Sequence, residues 1–180
     1  MAIIQLIYIK RVFMSKILNF VDNYVIPYVF IKSDDPLLFR ELLKSNKMYD
    51  DGLNLEGKIP GTRLRIGRNI FVFLQLWNLF IIPFSIIFHK LLAKIDCHLL
   101  IILAVISTGL FFATYSIFKS WMIDRVALTT IKAAWHNHYP HFPYEKHHRQ
   151  VARLYGKALD KELPNKEIQL YILDHMIEED

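Results

Sequence analysis

The sequence predicts an all-α membrane protein built around a two-span transmembrane helical hairpin, and three observations carry that prediction. Residues 70–88 (IFVFLQLWNLFIIPFSIIF) and 99–118 (LLIILAVISTGLFFATYSIF) contain no Asp, Glu, Lys or Arg. At about 1.5 Å of rise per residue, runs of this length just cross a hydrocarbon core about 30 Å thick. Only ten residues, HKLLAKIDCH, separate them, which allows nothing but an antiparallel hairpin. The whole chain is 53% apolar yet carries 22 Lys+Arg against 17 Asp+Glu, all outside the two runs. That excludes a disordered chain and leaves the ends with the charge of a water-facing surface.

The N-terminal region, residues 1–69, holds 11 basic and 7 acidic residues. Within it, Ile17, Phe20, Val21, Tyr24 and Val25 recur at helical spacing, opposite Lys16, Asn19, Asp22 and Asn23. This predicts an amphipathic helix over 15–26, opened by Ser15, closed before Pro27 and lying in the membrane interface. Met14-Ser15-Lys16 would also serve as a start, which would make residues 1–13 an upstream extension. No secretory signal pattern is expected, because Lys10, Arg11 and Lys16 follow the opening apolar run. Asp34-Asp35-Pro36 then predicts a capped start to a short helix over LLFRELLKS, with Leu38, Leu42 and Phe39 inward. Four of the six glycines, with Pro60, fall in residues 48–69, which reads as a loop. Arg63, Arg65 and Arg68 would hold that loop to anionic lipid.

Orientation follows the short-loop Lys/Arg bias. Lys58, Arg63, Arg65, Arg68, Lys119, Arg125 and Lys132 flank the hairpin's open end, against Lys90 and Lys94 in its turn. Both termini are therefore expected in the cytoplasm, with the hairpin in a bacterial inner membrane. Within the spans, Gln75 and Asn78 share a face, and Gly109 and Ala113 form a small-xxx-small pair. These residues suit helix packing, either within the hairpin or onto a partner's spans.

Residues 119–180 balance 9 basic against 9 acidic residues. The second span should continue as a stalk through 137, interrupted by Tyr139-Pro140 and Phe142-Pro143. A helix over 145–161 buries Val151, Leu154, Tyr155 and Ala158 and presents Lys146, Arg149, Arg153 and Lys157 on another face. The last helix opens at Asn165 and buries Ile168, Ile172, Leu173, Met176 and Ile177. Helices this small would bury little core on their own.

Five of eight histidines (His136, His138, His141, His147 and His148) fall in thirteen residues. Imidazole is the commonest ligand for transition metals, so three or four converging here, with Glu145 or Asp124, could hold a metal. No other cofactor is expected. The stretch resembles the third histidine box of integral-membrane fatty-acid desaturases at His136, Asn137, Phe142 and Pro143. Tyr139 and Pro140 stand where that family has paired histidines, and no histidine precedes His89. The family's di-iron ligand set could not be assembled, so the resemblance implies no desaturase activity. Cys97, the single cysteine, excludes a disulfide framework. The positive charge lies beside the first span rather than on a nucleic-acid face, so no nucleic acid is expected. The expected function is a non-catalytic subunit or adaptor bound to lipid and to other membrane proteins or its own copies. A metal-dependent protein using the histidines is the alternative.

Overall fold

A computed structural model describes residues 2–33, 35, 37–94 and 96–178, with backbone alone at 2–7, 9, 91, 92, 177 and 178. The chain is mostly helical: α1 (Ala2–Phe20), a π turn (Val21–Val25), α2 (Ile26–Val29), β1 (Phe30–Lys32), α3 (Phe39–Asp50), β2 (Thr62–Leu64), α4 (Ile66–Leu92), α5 (Cys97–His138), α6 (Tyr144–Asp160) and α7 (Asn165–Glu178). It divides into two compact units. One comprises Met1–Ile31 and Leu64–Met122, the other Lys32–Arg63 and Ile123–Asp180.

In the first unit, α4 and α5 each contain one of the apolar runs, and both are long and apolar enough to cross a membrane. The α4 helix carries Pro83 in its interior, a residue that membrane helices tolerate. The predicted amphipathic helix is longer than expected. Ser15 does not cap it; its hydroxyl donates to Val12 O at 2.9 Å within a helix already running. Pro27 does not stop it either. The π turn spaces the backbone so that Ile26 N–H bonds Val21 O, and a proline with no N–H enters the next turn without an unmet donor. Phe13, Ile17, Phe20, Tyr24 and Tyr28 stand exposed along this helix, and Phe20 stacks on Tyr24 at 5.2 Å.

The second unit packs α3, the end of α5, α6 and α7 around one core. Leu42, Leu43, Ile131, Trp135, Tyr139, Val151, Leu154, Tyr155, Ala158, Ile168, Ile172 and Met176 are all buried there. The expected inward faces of α6 and α7 hold, except that Leu173 is half-buried and the side chain of Ile177 lies outside the described residues. These helices do not stand on their own: α3 and the end of α5 join them in the core. Pooling four helices from distant parts of the chain supplies what α6 and α7 lack alone.

Two details of the N-terminal region differ from expectation, and a third, the Asp34-Asp35-Pro36 cap, falls on Asp34 and Pro36, which lie outside the described residues. The α3 helix begins after Leu38, which is 68% exposed rather than inward, and Glu41 accepts from Leu38 N–H at 3.1 Å. The loop read over 48–69 contains β2, which pairs with β1 in a two-stranded ladder. This chain reversal needs Gly61 at φ +71°, where an added Cβ would meet Ser33 Cβ at 3.2 Å.

Candidate functional site

The histidine loop is shaped by Trp135, a residue the sequence reading passed over. Its indole N–H donates to Phe142 O at 2.7 Å, and its ring packs on Tyr139 at 4.7 Å and Tyr144 at 5.3 Å. That anchor folds the Pro140–Pro143 segment back on α5 and distributes the five histidines to different surroundings. His138 Nε2 lies 2.8 Å from Leu37 O, 101 residues away, with its ring against Phe39 at 5.6 Å. His147 is buried, its Nδ1 3.2 Å from Gln150 Oε1 and its ring edge-on to Phe142. His148 stacks on Tyr144 at 4.8 Å, and its backbone O accepts from the buried Asn46 amide at 2.8 Å. His136 and His141 are exposed.

Electrostatics follow these placements. Burial pushes the His148 imidazole below its ordinary value, against an opposing pull from Asp50, whose carboxylate is 3.6 Å away. Burial also pushes the Tyr139 and Tyr144 phenols well above theirs, with the Asp50 and Glu145 carboxylates adding to the effect at Tyr144. Glu145, one of two carboxylates suggested to complete a metal site, instead bonds Lys132 at 2.7 Å, which holds its carboxyl below the usual range. Among the described residues the histidines of 136–148 form no group of three converging ligand atoms. The group that does is Asp96, Cys97 and His98 in the hairpin turn, all exposed. It sits at the N-terminus of α5, where the helix dipole disfavours a cation. A cavity of about 200 Å³ between Lys32, Asp35, Leu37, Ala133 and Asn137 is below the size of ordinary small-molecule pockets.

The three arginines expected to hold the loop to lipid part company. Arg68 donates to Tyr28 O at 3.3 Å and lies 4.9 Å over the Tyr28 ring, so it ties α2 to α4. Arg65 is half-buried, its N–H bonded to Val29 O. Arg63 is exposed on β2.

The hairpin holds itself together with aromatic rings. Phe73, 6% exposed, contacts Phe111 at 5.2 Å, Tyr115 at 5.3 Å and Phe118 at 5.4 Å. Trp77 meets Phe111 edge-on, and the buried Asn69 amide donates to Tyr115 Oη at 3.4 Å. Gln75, Asn78, Gly109 and Ala113 take no part in this seam; all four are exposed, and a Cβ built on Gly109 meets nothing within 4 Å. Every described side chain from 82 to 106 is likewise exposed. The hydroxyls of Thr108 and Thr114 bond carbonyls of their own helix, which satisfies them without a partner. Gln75 and Asn78 have no such partner among the described residues. Comparison of the chain with protein-family models, curated proteins and solved structures finds no match.

Proposed function

We propose that this chain is a small integral membrane protein whose α4–α5 hairpin spans a bacterial inner membrane with both termini cytoplasmic. In this reading it is a non-catalytic subunit or adaptor of a larger membrane assembly. The observation that carries it is the uncovered apolar surface. In the two most apolar 18-residue stretches, 6% and 0% of the residues are buried. The core helix of a water-soluble protein would be covered by its own chain, and monomers rarely leave an apolar patch of this extent in water. Lipid is the simplest cover, since α4 at 27 residues is about 40 Å long. The exposed row Phe13, Ile17, Phe20 and Tyr24 on α1 and the π turn suits the interface on the same grounds.

The adaptor role rests on where polar chemistry is placed. Three of the five clustered histidines are occupied in packing, while two span amides face outward with no internal partner. An outward amide in hydrocarbon is recognition chemistry, because only another helix can satisfy it. Alkaline carbonate extraction tests insertion: retention in the pellet is expected, and release would defeat the reading. Pulldown with Gln75→Leu plus Asn78→Leu tests the role; loss of a co-purified membrane protein, a differently tagged copy of this chain included, is expected, and an unchanged set would defeat recognition through the spans.

A further inference from the structure

The polar side chains of α4 follow a rule finer than one shared face. Phe71, Gln75, Asn78, Ile82, Ser85 and His89 recur at alternating steps of four and three, the a/d pattern of a seven-residue repeat. This row holds every amide, hydroxyl and imidazole between residues 70 and 89, and all six positions are exposed. At 100° per residue it is centred about 160° around the helix from Asn69, Phe73 and Trp77, the side already filled by α5. Pro83 lies off the row. A period of 3.5 keeps such a row facing one neighbour along the whole length of a left-handed pair.

Resting on the membrane reading above, we infer that the occupant of this row is α4 of a second copy of this chain. Insertion gives both copies the same direction across the bilayer, so two α4 helices related by a two-fold axis along the membrane normal run parallel. Each a or d position then meets its own counterpart at the same depth: Gln75 against Gln75, Asn78 against Asn78, Ser85 against Ser85. An amide offers both donor and acceptor, so it is its own complement, and no charge on the row opposes self-association. A two-fold contact of this kind closes on itself and stops at the dimer. The aromatic seam to α5 stays intact, because it occupies the other side of α4.

Oxidative cross-linking in native membranes tests the geometry. In a Cys97→Ser background, cysteines replacing Phe71, Gln75, Asn78 and Ile82 should give disulfide dimers. Those replacing Val72, Leu79 and Phe80, which lie off the row, should not. Gln75→Leu plus Asn78→Leu should lower the dimer yield of the Ile82→Cys chain, about threefold in association for each amide bond lost. Gln75→Asn, which keeps an amide, should restore most of it. Equal yields at all positions, or adducts to a different protein in place of the dimer, would overturn the proposal. Carbonate extraction of the same membranes separates the two levels. Release of the chain removes the membrane reading itself, whereas retention without the seven-residue pattern removes only the dimer.

Discussion

If the histidines of 136–148 serve packing, replacing each by alanine must give a graded series set by its surroundings. His147 is 3% exposed and wedged between Gln150 and Phe142. Its removal leaves a void in the second unit and breaks the contact with Gln150, a cost of about 2–4 kcal/mol. Loss of His138 leaves Leu37 O without its 2.8 Å partner at a half-buried site, worth about 1–2 kcal/mol. His136→Ala and His141→Ala remove exposed rings and should stay within about 0.5 kcal/mol. For a unit of this size each kcal/mol moves the midpoint by about 4–8 °C. The series therefore predicts drops of roughly 10–30 °C for His147 and 5–15 °C for His138, and nearly none for the exposed pair. Thermal unfolding in mild detergent, followed by the near-ultraviolet signal of the buried Trp135, reads this directly, with elemental analysis of each sample beside it. Equal destabilisation by all five, reversed by added zinc, would refute the packing account. So would about one equivalent of bound metal lost with His136 and His141.

Three further outcomes follow from the same contacts. Trp135→Phe keeps most of the ring but leaves Phe142 O unpaired, so the second unit should lose about 1–3 kcal/mol; an unchanged midpoint in thermal unfolding would argue against the anchor. Stability should fall as pH drops. The folded His148 resists the proton that the unfolded chain binds near 6.5, so its contribution is present above that value and is lost as pH falls below it. Glu145, lowered by Lys132 from 4.5, extends the loss at lower pH. His148→Gln should remove the upper part of the slope in a pH series of midpoints, and a wild-type profile flat from pH 7 to 5 would contradict it. Phe73→Ala deletes the ring shared by Phe111, Tyr115 and Phe118. Spin-label distances between α4 and α5 should broaden, while Leu74→Ala, on an exposed side chain, should leave them sharp.

What could be read from sequence was whatever a short window determines. The two uncharged runs fall inside α4 and α5, and the periodicity of Val151, Leu154, Tyr155 and Ala158 gave the inward face of α6. Local signals failed where a contact made far along the chain decides. A local feature overrides two others: Ser15 and Pro27 look like a start and a stop, but the helix already runs through Ser15, and a π turn carries it past Pro27. Five histidines close in sequence look like one site, yet His138 is assigned by Leu37 and His148 by Asn46, each more than a hundred residues distant. The amides Gln75 and Asn78 could be read as candidates for helix packing, but not which side they took. The ring of Phe73 settled that by claiming the α5 side for aromatics. Nothing in the apolar composition of the span distinguishes Phe73 from its neighbours.

In the proposed topology α4 and α5 cross a membrane with the turn on the far side from the termini. Cys97, the single cysteine, is exposed in that turn, so a membrane-impermeant maleimide reports on it without mutation. The account predicts labelling of Cys97 in intact cells. A cysteine replacing the exposed Lys157, in a Cys97→Ser background, should label only after permeabilisation. Labelling of Cys97 only after permeabilisation, with the chain recovered in the soluble fraction, would contradict the account.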